Sequence, residues 1–107
     1  MIYYQYYSSR IIYMEKSETY STRDINLAAA LMTYNFFMTN IDFQIEGSEG
    51  KMVGYFAFDK TPELEQVEKD YWQRKLTVEP REFILNLRSL KSQVNSVYKN
   101  PRNNVRP

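Results

Sequence analysis

From Ile41 to Asp59 the chain reads Ile-Asp-Phe-Gln-Ile-Glu-Gly-Ser-Glu-Gly-Lys-Met-Val-Gly-Tyr-Phe-Ala-Phe-Asp, and this run predicts a β-hairpin. Ile41, Phe43 and Ile45 alternate with Asp42, Gln44 and Glu46, the period of a strand with one dry and one wet face. Gly47 and Gly50 bracket a polar connection. The return strand, Met52 to Phe58, is apolar on both sides. Met52, Phe56 and Phe58 fall on one face and Val53, Tyr55 and Ala57 on the other, so cover is expected over both. A lone hairpin is only marginally stable in water, so helices or a second copy must support it.

The flanking sequence supplies three helices. Tyr20-Ser21-Thr22-Arg23-Asp24-Ile25 predicts the first start, with Ser21 as cap, Asp24 reaching back, and Tyr20 and Ile25 as staple. Asn26 to Met32 continues it with three alanines, and Asn35 is the expected left-handed terminator. Thr61-Pro62-Glu63 predicts a second start, with Thr61 as cap and Pro62 at the first helical position. Its apolar stripe is Leu64, Val67 and Tyr71, with Trp72 at the border. Its acidic residues read as a solvated face. Pro80 opens the third helix, with Glu79 at the cap position. There Phe83, Leu87, Leu90, Val94 and Val97, joined by Ile84, form an amphipathic stripe that ends at Asn100-Pro101.

The expected architecture is therefore α+β, in one small domain of order α-β-β-α-α with a two-stranded antiparallel hairpin packed on helices. Residues 20–99 form this domain, 1–19 an extension and 100–107 a disordered basic tail. At 107 residues, 43% hydrophobic and 25% charged, the chain has material for one core.

Residues 1–13 hold five of the ten tyrosines. One reading is an extra strand; another is a tyrosine surface that stacks on bases. The preferred reading is translated upstream sequence with the natural start at Met14. Tyr and Ile codons are AT-rich, and an AGG codon for Arg10 would resemble a ribosome-binding site.

Composition narrows the chemistry. There is no cysteine and no histidine, which excludes disulfide scaffolds, thiolate or imidazole zinc sites, cysteine nucleophiles and histidine-activated serines. No carboxylate spacing suggests a calcium loop, and no glycine-rich phosphate loop is present. No cofactor is expected. The longest apolar run, Leu27 to Met32, falls far short of the roughly 20 residues of a membrane span, and a cytoplasmic setting is the default expectation.

Net charge is only +1, yet it is unevenly distributed. From Pro80 onward six basic residues, Arg81, Arg88, Lys91, Lys99, Arg102 and Arg106, face one acidic residue, Glu82. Cations off the apolar stripe of a buried helix can meet phosphates; they can equally serve only to keep the helix soluble. Lys51 to Phe58 echoes the aromatic strand of RNA-recognition sheets, with mismatched spacing, and nominates Tyr55 for stacking. Ser21 to Asn35 is similar to the first helix of helix-turn-helix regulators, but a strand follows it where a recognition helix is required.

Taken together, Tyr20-Ser21-Thr22-Arg23-Asp24 leading to Leu27-Ala28-Ala29, then Tyr55-Phe56-Ala57-Phe58-Asp59, Tyr71-Trp72, and Val78-Glu79-Pro80-Arg81 leading to Leu87-Arg88-Ser89-Leu90-Lys91, resemble domain of unknown function 5659. That is a family of small phage and prokaryotic proteins. Asn35 stands where the family has a glycine. The resemblance covers about three quarters of the chain, begins after Met14, and implies a prokaryotic or viral source without implying an activity.

The expectation is a non-enzymatic accessory protein of a phage or mobile element that contacts DNA or RNA through Arg81, Arg88, Lys91, Lys99, Arg102 and Arg106, with Tyr55 stacking. The alternative is a protein-interaction module or a homodimer joined through the edge of Ile41 to Glu46 or the Tyr55 face. An enzyme comes third, because no acidic pair is nominated.

Overall fold

The hairpin forms as its alternation dictates. In the computed structural model, which describes residues 18–99, strands Met38–Glu46 and Lys51–Asp59 pair antiparallel, with Ile41 opposite Phe56 and Glu46 opposite Lys51. Gly47 and Gly50 take φ of 81° and 69° at the turn, a region open to glycine without steric cost. Thr39 is the extra residue of a bulge between Met38 and Asn40, and its hydroxyl donates to the Ala57 carbonyl.

A third strand was not foreseen. Thr19–Thr22 pairs antiparallel with Lys51–Asp59, setting Tyr20 opposite Phe58. Numbered in chain order the elements are β1 (Thr19–Thr22), α1 (Ile25–Thr33), β2 (Met38–Glu46), β3 (Lys51–Asp59), α2 (Pro62–Trp72) and α3 (Pro80–Lys99), with sheet order β1-β3-β2. The class is α+β, as expected, but the order is β-α-β-β-α-α. The predicted Ser21 cap is incorrect, because Ser21 is committed to the ladder opposite Ala57. Asp24 caps α1 instead, its Oδ1 accepting from the backbone N–H groups of Asn26 (2.9 Å) and Leu27 (3.2 Å).

Central placement of β3 explains its double-sided apolarity. Phe56 and Phe58 enter the core with Leu27, Ala28, Ala29, Leu31, Leu64 and Leu90. Tyr20, Met38 and Ile41 join them from the same face of the sheet. The expected cover over the opposite face is absent among the described helices, all three of which pack on the Phe56 and Phe58 side. Val53 and Ala57 are nonetheless buried: Ala57 lies between Ser21 of β1 and Asn40 of β2, and Val53 lies opposite Gln44 of β2. Gly54 permits a close approach: a Cβ there would lie 3.1 Å from the Phe43 ring, which meets Tyr98 of α3 edge to face at 6.5 Å.

The helices follow their predicted stripes. Buried Leu27 to Leu31 make α1 apolar all round, so it sits inside, touching both α2 and α3. It ends at Asn35 with φ 69°, as the sequence predicts. Thr61 Oγ1 accepts from the Leu64 N–H at 3.1 Å to cap α2, and Leu64, Val67 and Tyr71 face the core. Glu79 Oε1 accepts from the Glu82 N–H at 2.7 Å at the start of α3. Ile84 departs from its assigned stripe and is 45% exposed, because it lies at the stripe's edge.

A polar tie joins α2 to α1. The Tyr71 hydroxyl donates to Asp24 Oδ2 at 3.0 Å, linking the end of α2 to the cap of α1. Burial, then this hydrogen bond to a carboxylate, pushes Tyr71 from its ordinary 10 up to about 12. The protonated phenol is the form the fold favours. This contribution is therefore complete below about pH 10 and is lost as pH rises toward 12. Melting temperature measured across that window should fall less steeply in Tyr71→Phe than in the parent chain. A residual slope is expected from Tyr20, which burial and then Glu68 also raise.

The proposed start at Met14, the tyrosine-rich 1–13 segment and the 100–107 tail with Arg102 and Arg106 lie outside the described residues, as does the side chain of Lys99.

Candidate nucleic-acid interface

Helix α3 positions the basic residues because its stripe fixes its roll. Leu90 and Val97 are buried, and Phe83, Leu87 and Val94 pack against the core. At 3.6 residues per turn, Arg81 and Arg88 project along a line on the far side of the helix, and Lys91 lies about a quarter turn away. Arg81 and Arg88 are separated by seven residues, about 10.5 Å along the axis. Arg81, Arg88 and Lys91 are exposed.

None of these three forms an ion pair among the described residues. The ion pairs there are Arg23 with Glu46 at 3.5 Å, and Lys60 with Glu18 at 3.6 Å and with Glu65 at 3.3 Å. The only acidic residue in α3 is Glu82, in its first turn. The face is not purely polar: Leu85 is 60% exposed beside Ile84, between the two arginines. A helix anchored on one side and bearing unpaired cations on the other can meet successive phosphates without unfolding.

Tyr55 does not converge on this surface. Alternation along β3 puts it on the sheet face opposite Phe56, so the sheet separates it from α3. Its hydroxyl donates to Glu46 Oε2 at 2.5 Å, while Arg23 Nη1 donates to Glu46 Oε1. The hydrogen bond to Glu46, then burial, raises the Tyr55 hydroxyl above its ordinary value. Asp42 stands directly opposite on β2. The stacking assignment therefore falls on a different face from Arg81, Arg88 and Lys91, with the Tyr55 hydroxyl already bonded to Glu46.

The Arg23, Glu46 and Tyr55 network was missed because its members come from the link after β1, the end of β2 and the middle of β3. The strand β1 did carry a signal, the β-prone run Thr-Tyr-Ser-Thr, which a cap reading of Ser21 displaced. Among the described residues no group of three or more Asp or Glu could hold a metal, and no helix is long and apolar enough to cross a membrane.

Residues 17–96 match the model of a protein family described as domain of unknown function (DUF5659). No curated protein and no solved structure matches the chain.

Proposed function

This chain belongs to the DUF5659 family, and from that premise we propose that it is a non-enzymatic, cytoplasmic accessory protein of a phage or other prokaryotic mobile element. It contacts the phosphates of DNA or RNA through the outer face of α3. The observation that carries this reading is the set Arg81, Arg88 and Lys91, exposed and unpaired on a helix whose other side is fixed in the core. Lys99, Arg102 and Arg106 extend the same charge along the chain. Binding of this kind is sequence-tolerant and driven by counterion release.

Fluorescence anisotropy with a labelled duplex and a labelled single strand, in salt from about 50 to 200 mM, tests it. Three helix contacts alone give a slope of log K against log salt near −2.7 on duplex, and the tail cations steepen it. Arg81→Gln combined with Arg88→Gln should reduce that slope by about 2. Absent binding at the lowest salt, or salt-independent binding, rejects the reading. The rival is a protein-interaction module. The exposure of Leu85 and Ile84 between the arginines favours it, and a salt-insensitive complex with a protein partner would select it.

A further inference from the structure

The sheet has two edges of unequal character. β1 is four residues long, whereas β2 is nine and carries no lysine and no proline, the usual devices that blunt an edge strand. Its bulge at Thr39 interrupts one end and the Gly47 turn closes the other, leaving Asn40 to Glu46 as a regular segment whose midpoint is Phe43. Two of its apolar residues remain partly or largely open: Phe43 is half-buried and Ile45 is 64% exposed.

We propose that a second copy of this chain pairs with the β2 edge, antiparallel and centred on Phe43, extending the three-stranded sheet to six strands. The inference stands apart from the nucleic-acid reading and uses no residue of the outer face of α3. Its support is the register itself. Pairing about Phe43 sets Asp42 opposite the partner's Gln44 and Asn40 opposite the partner's Glu46, so each carboxylate meets an amide and no two carboxylates meet. On the other face it sets Ile41 opposite the partner's Ile45 and Phe43 opposite its counterpart, giving a continuous apolar row. Opposed pairs of these kinds stabilise a ladder, whereas like charges directly opposite destabilise it.

The neighbouring groups suit this arrangement. The Gln44 side-chain amide already donates to Asp42 Oδ2 within the strand, at 2.9 Å, and the same donor can cross to the partner's Asp42. Glu46 is neutralised by Arg23 and bonded by Tyr55, which lowers the cost of bringing two acidic strands together. A groove of about 480 Å³ runs between the β2 edge and α3, lined by Ile41, Phe43, Gln93 and Val97 among others. It lies beside Ile41, where the partner's Ile45 arrives. The two-fold axis of such a pair is perpendicular to the sheet, so both helical layers fall on one side of the assembly.

Sedimentation analysis of the full chain up to about 200 µM reads the outcome, a micromolar association being typical of a small contact. A species of twice the 12.9 kDa chain mass is expected, and a monomer at the highest concentration overturns the proposal. Ile45→Lys should abolish the dimer while circular dichroism stays unchanged, since Ile45 is largely exposed in the single chain; a persisting dimer overturns the edge. Gln44→Glu places a carboxylate against the partner's Asp42 twice and should raise the dissociation constant about tenfold, and Gln44→Lys should lower it. Equal effects of these two exposed substitutions, or the reverse order, overturn the register.

Discussion

Phe58→Ala is expected to reduce unfolding free energy by about 3–5 kcal/mol, the largest loss among single substitutions considered for this protein. Phe58 is 1% exposed on the central strand, with Tyr20 of β1 and Met38 of β2 as its ladder neighbours. Truncation leaves a cavity among Leu27, Leu31, Leu64 and Phe56. That space resists collapse, because the sheet pins one wall and α1, close-packed through its buried alanines, supplies another. A domain of this length is stable by about 4–12 kcal/mol, so the loss removes about a quarter of that stability or more. Urea denaturation gives the shift in midpoint. Phe37→Ala is the control: Phe37 is 80% exposed, and its loss should change stability by no more than about 0.5 kcal/mol. Comparable losses in the two variants would contradict the assignment of β3 as the central strand.

Asp24→Ala should cost about 2–4 kcal/mol, because one carboxylate performs two tasks. Its Oδ1 satisfies two backbone donors at the start of α1, an interaction worth about 1–2 kcal/mol. Its Oδ2 accepts from Tyr71, and removing it strands a part-buried hydroxyl at a cost of roughly 1–2 kcal/mol. Ser21→Ala separates the two possible caps. Ser21 is an exposed residue of β1, so its loss should stay within about 0.5 kcal/mol. Denaturation midpoints that rank Ser21→Ala at or above Asp24→Ala would return the cap to Ser21 and remove β1.

The comparison of Asp24 with Ser21 marks where local sequence stops being decisive. Both residues are capping types, three positions apart, and both precede the apolar run of α1. Which of them caps depends on whether Thr19 to Thr22 is drawn into a ladder, and that depends on β3, more than thirty residues downstream. Thr61 before Pro62 and Asn35 after α1 had no such competitor, so both were readable from neighbouring residues alone. Tyr55 shows the same limit in the candidate site. Its face of β3 follows from alternation, but its bond to Glu46 and its separation from Arg81 and Arg88 depend on where three strands and a helix come to rest. Arg81, Arg88 and Lys91, by contrast, fall off the apolar stripe of α3 by spacing along the helix alone, and they are exposed.

The amino-acid order by itself determined the hairpin, its turn, the three helices and the roll of α3, because each is set by side-chain period and by residues within one or two turns of one another. Only the tertiary structure decided that β1 completes the sheet, that β3 lies in its middle with one face under the helices, and that β2 is left as an edge. Those choices depend on pairing energies between distant segments, which are collected only when the whole chain closes on itself and leave no periodic trace in any one of them.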